Sequence, residues 1–288
     1  MGVPSQAALH ADVDALGVGS RMVEANGLRL HVLDYPGDDP AVIVLPGITS
    51  PAISWDFVIR ALDVPRRFVV PDMRGRGLSE RPDRGYALSD YVADIAGLIG
   101  ELDLERPALL GHSMGARVAA AVAARRPGLA GHVIAVDPPL SGPGRAPYPI
   151  TREAFLGQLR AAQAGTTVEE VRRSYPRWPE RELELRVTWL PSCAEDAVLE
   201  SHESFHTEDF FDDWPQVPEP VTFVYGGDSP MVTAKGAAEA AQRNPRARQI
   251  RIPAAGHMIP WDNLAGFVDA VRPLLAPGGD ISYSTTTE

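Results

Sequence analysis

Gly111-His112-Ser113-Met114-Gly115 sets a serine hydroxyl between two glycines, directly after the apolar run PALLGH and before the alanine-rich GARVAAAVAARR. A G-x-S-x-G at a strand-to-helix turn presents a nucleophile, because the glycines let the backbone turn sharply and the helix N-terminus favours developing negative charge. The chemistry this allows is acyl transfer through a covalent serine intermediate. A serine hydroxyl needs a base to take its proton. Of seven histidines, His257 in IPAAGHMIPWD follows the last apolar strand and precedes the last helix, the place such a base occupies. His112 lies inside the turn and reads as packed beneath it. An acid between Ser113 and His257 in chain order completes the set, and two stand at strand ends: Asp137 in VDPP and Asp228 in YGGDS. The residues alone leave both open. The backbone N–H groups of Met114 and of Ile48 in PGITS are the expected oxyanion donors, with Gly47 letting the chain pass close to the site.

These residues need a scaffold that brings strand ends together. Arg21 to Tyr35 alternates apolar and polar residues around Asn26-Gly27, which predicts a β-hairpin. Six short apolar runs follow, of the kind seen in buried parallel strands: AVIVLP from 41, RFVVPD from 67, PALLGH from 107, HVIAVD from 132, TFVYGG from 222 and QIRIPA from 249. Helical patterns from 91, 115, 234 and 262 fill most of the gaps, so the fold class is α/β with a mostly parallel sheet flanked by helices. The gap from Pro138 to Pro220, about 80 residues, is too long for a plain crossover. Helices are expected in it near 151–164, 167–175, 180–190 and 195–211, the second opened by a capping box, Thr167 to Glu170. The expected division is an N-terminal extension over 1–19, a core over 20–137 and 221–275, a helical cap over 138–220 and a flexible tail over 276–288 without a functional role.

The 288 residues carry a formal net charge of −11, whose field repels polyanions and argues against nucleic-acid or anionic-membrane partners. A single cysteine, Cys193, excludes an intramolecular disulfide framework and a cysteine-cluster zinc site. His202 and His206, at helical spacing, lack a clear third ligand, and no metal site is expected. The arginines of DMRGRGLS have no Lys-Ser/Thr after them, as a phosphate-binding P-loop demands. The N-terminus has neither the basic start nor the apolar run of a secretory signal, so a cytoplasmic location is expected.

The segments VLPGITSPAISW, DMRGRGLS, GHSMGAR, VDPPLSGPGRAPYP and AGHMIPWDNLAGF, with LRVTWLPSC in the long insertion, together resemble the N-formylmaleamate deformylases. These are serine hydrolases of nicotinate and picolinate breakdown within the α/β-hydrolase superfamily. The resemblance runs from about residue 40 to 268. GHSMG alone marks only the superfamily; PGITSPAISW and DPPLSGPGRAPYP are narrower. It implies the α/β-hydrolase fold with a helical cap, and hydrolysis of N-formylmaleamate to maleamate and formate without a cofactor. It also implies an acid after the strand before the cap, which maps onto Asp137. The N-terminal extension, the polar tail and Asp228 in GGDSP depart from the family pattern. A small anionic acyl substrate calls for a local cation. Arg145 beside Asp137 in the chain is the first expectation, His206 the second, and Trp189 an apolar wall; Arg117, one turn after Ser113, competes. The same triad acting on another small ester, enol-lactone or enamide is the alternative activity, and a ligand receptor on the same fold the alternative class. The oligomeric state is not legible.

Overall fold

A computed structural model describes residues 5–276. In chain order its elements are α1 (Gln6–Asp14), β1 (Gly19–Ala25), β2 (Leu28–Tyr35), β3 (Asp38–Leu45), α2 (Asp56–Leu62), β4 (Arg66–Pro71), α3 (Leu88–Glu101), β5 (Ala108–His112), α4 (Met114–Arg125) and β6 (Val133–Val136). The long insertion then contributes α5 (Arg152–Ala164), α6 (Val168–Ser174), α7 (Glu180–Trp189), α8 (Glu195–Thr207) and α9 (Phe210–Asp213). The chain closes with β7 (Val221–Gly226), α10 (Ala234–Arg243), β8 (Arg248–Ile252), α11 (Ile259–Asp262) and α12 (Leu264–Leu275).

The eight strands form one sheet in the order β1-β2-β4-β3-β5-β6-β7-β8. Only the pairs β1–β2 and β2–β4 are antiparallel. Asn26 and Gly27 both take positive φ, 52° and 72°, so the expected hairpin turn matches the right-handed twist of its strands. The parallel strands are apolar on both faces because both are covered. Ile43, Leu45, Leu109, Val133 and Ala135 pack toward α3 and α4, while Val42, Val44, Leu110, Ile134 and Val136 pack toward α2 and α12. In the insertion the expected capping box forms: Thr167 Oγ1 accepts from the Glu170 amide and the Glu170 carboxylate accepts from the Thr167 amide.

The extension expected over 1–19 contains a docked helix. Ser5 caps α1 through the Ala8 amide, Leu9 and Val13 are buried, and Asp12 accepts a 2.9 Å bond from the Trp189 indole of α7. Beyond residue 276 the expected tail lies outside the described residues. Among the described residues no helix is long and apolar enough to cross a membrane.

Leu9 is 2% exposed and belongs to the core on the α2/α12 side of the sheet. Leu9→Ala is therefore expected to lower the unfolding free energy by about 2–3 kcal/mol, at the low end for a buried leucine because a terminal helix relaxes easily. Denaturant titration with an unchanged m-value would report it.

Candidate active site

The sharp turn at Ser113 follows from what its neighbours lack. A Cβ on Gly115 would overlap the Leu45 carbonyl at the end of β3, and one on Gly111 would overlap the Gly115 carbonyl. The first turn of α4 thus lies backbone against backbone between β3 and β5. Ser113 sits at φ 56°, ψ −118°, a strained conformation for a residue with a side chain. It is held by its amide, which donates to the Val136 carbonyl, and by its carbonyl, which accepts from Ala116 and Arg117.

β8 leads through Ala254, at φ 51°, and Gly256 to His257. The His257 Nε2 lies 2.9 Å from Ser113 Oγ, and Nδ1 lies 2.7 Å from Asp137 Oδ2. A carboxylate only accepts, so Nδ1 carries the proton and Nε2 is free to take the serine's. Asp137, fully buried at the end of β6, is fixed further by two groups, one at the last residue of β7 and one in the segment that follows it. Gly226 N–H donates to Oδ1 at 3.1 Å and Ser229 Oγ to Oδ2 at 2.5 Å. Asp228, the other candidate acid, is exposed, and its amide bonds the Ala255 carbonyl. The structure therefore brings Ser113, His257 and Asp137 into one hydrogen-bonded chain and leaves Asp228 outside it. Such a chain can move a proton off the serine as the hydroxyl attacks a carbonyl.

His112 packs beneath this chain against Trp55, Trp261 and His257, and its Nε2–H donates to the His257 carbonyl at 2.8 Å. Burial, and then the neighbouring His257, push its pKa down to about 3, so it stays neutral. The amides of Ile48 and Met114 find no acceptor among the described residues. Both residues are buried, and Met114 opens α4.

A cavity of about 310 Å³ opens over Ser113 and His257. Tyr148, Phe155, Tyr175 and Trp178 give it aromatic walls, and Arg177 and Arg186 bring charge to it. Arg177 pairs with Asp262 at 3.3 Å. Arg186 has no carboxylate partner among the described residues: it donates to the Thr49 carbonyl at 2.6 Å and to the Thr49 hydroxyl, and its Nε is buried without a partner.

Three expected substrate contacts are not brought to this cavity. Arg145 forms a two-point ion pair with Glu239 of α10, at 3.1 and 2.6 Å, lies 3.7 Å from Asp209 and stacks on Phe211, so its charge is already spent on bracing its own loop. His206 packs its ring on His202, one turn earlier in α8 and away from the cavity. Trp189 is buried with its indole N–H on Asp12; the tryptophan that lines the cavity is Trp178. Arg117 turns to the carbonyls of Pro139, Ser141 and Glu208. Sequence reasoning missed Arg186, whose signal was present. Leu183, Arg186 and Leu190 form an i, i+3, i+7 stripe that sets an arginine where an inward-facing apolar residue belongs. Tyr148, Tyr175 and Ser229 carried no such signal.

A model described as the alpha/beta hydrolase fold matches residues 40–264. The chain belongs to the α/β-hydrolase fold family. It is 40% identical over 250 residues, 86% of this chain and 93% of the relative, to N-formylmaleamate deformylase of Pseudomonas putida KT2440. The crystal structure of a serine-to-alanine variant of N-formylmaleamic acid deformylase from Pseudomonas putida S16 superposes with a TM-score of 0.83 at 39% identity, covering 88% of this chain and all of the other. A more distant relative, 2-(acetamidomethylene)succinate hydrolase of Mesorhizobium japonicum, is 27% identical over 87% of this chain and 93% of its own length. These likenesses support a hydrolase.

Behind the cavity of this α/β hydrolase, Glu182 on α7 is only 4% exposed. Its pKa is pushed up to about 7, first by burial and with Asp56 adding to it, against Arg181 and a hydrogen bond from Trp261. A raised carboxyl pKa means that the folded state binds the extra proton. Its stabilising contribution is full below the unfolded value near 4.5 and is lost as pH rises through about 7. Glu182→Gln is thus expected to stabilise the protein at pH 8 by about 2 kcal/mol more than at pH 5. Thermal or chemical unfolding at the two pH values checks this, and an equal gain at both would contradict it.

Proposed function

We propose that this α/β hydrolase is a serine hydrolase that converts N-formylmaleamate and water to maleamate and formate. The observation that carries the reading is the Ser113–His257–Asp137 chain at the floor of a small aromatic cavity that holds, in Arg186, a cation without a carboxylate partner among the described residues. The likeness to N-formylmaleamate deformylase supports the choice of substrate.

In this mechanism Ser113 Oγ attacks the formyl carbon while His257 Nε2 takes its proton, and Asp137 orients the imidazole and stabilises its charge. The Ile48 and Met114 amides hold the oxyanion. His257 then protonates the amide nitrogen, maleamate departs, and a water activated by His257 hydrolyses the formyl ester to formate. The nitrogen leaves readily because a second carbonyl shares its lone pair. The formyl end demands little room beside Ser113, and Arg186 grips the distal carboxylate in place of Arg145. The inserted helices over 138–220 act as the cap that closes this space.

Formate release from N-formylmaleamate is the direct test. Ser113→Ala is expected to lower kcat by about 10³-fold or more in a folded protein. Asp137→Asn is expected to impair turnover far more than Asp228→Asn, because only the residue bonded to Nδ1 fixes the tautomer. The reverse order would move the acid to the segment after β7. A second reading, the same machinery acting on a larger N-acyl enamide, draws on the likeness to 2-(acetamidomethylene)succinate hydrolase and would show as faster acetate than formate release from the two compounds.

Arg186→Ala is expected to weaken binding of the anionic substrate by about 1.5–3 kcal/mol, the value of a charge-assisted contact, while sparing an uncharged ester. Arg145→Ala is expected to affect both substrates alike. Parallel measurement of kcat/KM on the two substrates separates the roles, and a uniform effect in Arg186→Ala would remove it from carboxylate recognition.

A further inference from the structure

Arg76, in the loop after β4, is fully buried, and no carboxylate pairs with it among the described residues. Its partners are neutral. Nε donates to the Ile48 carbonyl at 3.0 Å, and Nη1 to the Arg74 carbonyl at 2.8 Å and the Tyr91 hydroxyl at 2.5 Å. Nη2 donates to the Ala197 carbonyl at 3.1 Å and to Ser201 Oγ at 3.0 Å, both on α8, and lies 3.9 Å from Met114 Sδ. The rings of Tyr86 and Tyr91 lie within 6 Å of the guanidinium, at 5.9 and 5.5 Å. Its neighbour Arg74, two residues earlier, is by contrast neutralised by Asp94.

A guanidinium stays protonated in a protein, and burying one without a counter-charge is unfavourable unless its N–H groups are all satisfied. Arg76 meets that condition with carbonyls, hydroxyls and aromatic faces, which solvate the charge without cancelling it. Its contacts toward the site are the Ile48 carbonyl and the Met114 side chain, on the two residues whose amides find no acceptor among the described residues. We propose that Arg76 is a positioning residue for acyl transfer: it braces the Ile48 carbonyl and the Met114 side chain from behind, and adds an uncancelled positive charge on the side where the oxyanion develops. In a water-excluded site a fixed charge of this kind favours the tetrahedral intermediate over the neutral substrate, so it acts on kcat and not on KM. The inference rests on the serine mechanism proposed above.

The test uses the full chain, N-formylmaleamate, and a small alkyl boronic acid that forms a tetrahedral anion on a serine nucleophile. Arg76→Gln, near in length and neutral, is expected to lower kcat by about 10–100-fold with KM changed less than about threefold, and to weaken the boronic acid by a similar factor. Arg76→Lys, which restores the charge, is expected to recover most of both. Ser201→Ala, which loosens the tie to α8 and leaves the cation in place, is expected to keep kcat within about threefold. The inference is overturned if Arg76→Gln folds with unchanged kcat, if KM and kcat shift together while the boronic acid binds as before, or if Ser201→Ala loses as much as Arg76→Gln. Should Arg76→Gln not fold, a folded Arg76→Lys that loses kcat and boronic acid binding by about 100-fold equally overturns it. Ser113→Ala measured alongside distinguishes the failures: retained turnover there sinks the serine mechanism, whereas a dead Ser113→Ala beside an undiminished Arg76→Gln sinks this inference alone.

Discussion

The close approach of two backbones, the first turn of α4 and the end of β3, is the constraint on which the rest of the site depends. It exists because Gly115 has no Cβ to strike the Leu45 carbonyl and Gly111 none to strike the carbonyl of Gly115. The same approach forces Ser113 into positive φ, which costs on the order of 1–3 kcal/mol and persists only because the surrounding sheet and helix over-determine it. With α4 seated there, the chain leaving β3 passes directly above the turn: a Cβ at Gly47 would lie 3.5 Å from that of Ser113. Ser113 and the chain at Gly47 are thereby brought together by backbone packing before any side chain of the insertion contributes.

Charge is arranged on top of that geometry in an acidic protein. Residues 48 and 49 are gripped by arginines from two different elements, Arg76 at the Ile48 carbonyl and Arg186 at the Thr49 carbonyl, and neither arginine has a carboxylate partner among the described residues. Elsewhere arginines are matched, as in Arg74 with Asp94, Arg125 with Asp213 and Arg145 with Glu239. A net charge of −11 opposes the entry of an anion, and the field that reverses it has to be local. Positive charge left without a carboxylate partner on both sides of one short loop supplies such a field where the anionic substrate and the oxyanion of the proposed function would meet it.

Most of the sheet and its helices was legible because buried parallel strands and amphipathic helices announce themselves locally. The six apolar runs, the Asn26-Gly27 hairpin and the helices of the insertion all stand within a few residues of their expected bounds. The surroundings of Ser113 were less legible, since they depend on which way side chains of the insertion turn. Arg145 neighbours Asp137 in the chain, and that proximity suggested a role in the site. In space it is captured by Glu239, 94 residues away, and no local pattern reveals such a pairing. Trp189 likewise faces α1, whose docking through Leu9, Val13 and Asp12 was not expected from a segment with little apolar periodicity.

The hydrogen bonds of Asp137 show how two strand ends share one task. In a parallel sheet β6 and β7 finish side by side, so the chain leaving either can approach a histidine delivered after β8. Here the end of β7 and the segment after it are committed to their neighbour's carboxylate: Gly226 N–H and Ser229 Oγ both donate to Asp137, and the Ser229 oxygen in turn accepts from the Met231 amide. Asp228, one residue before Ser229, is turned to solvent and takes no part in these bonds. The choice between the two aspartates therefore lies less in either one than in Gly226 and Ser229, whose donors already point to the end of β6.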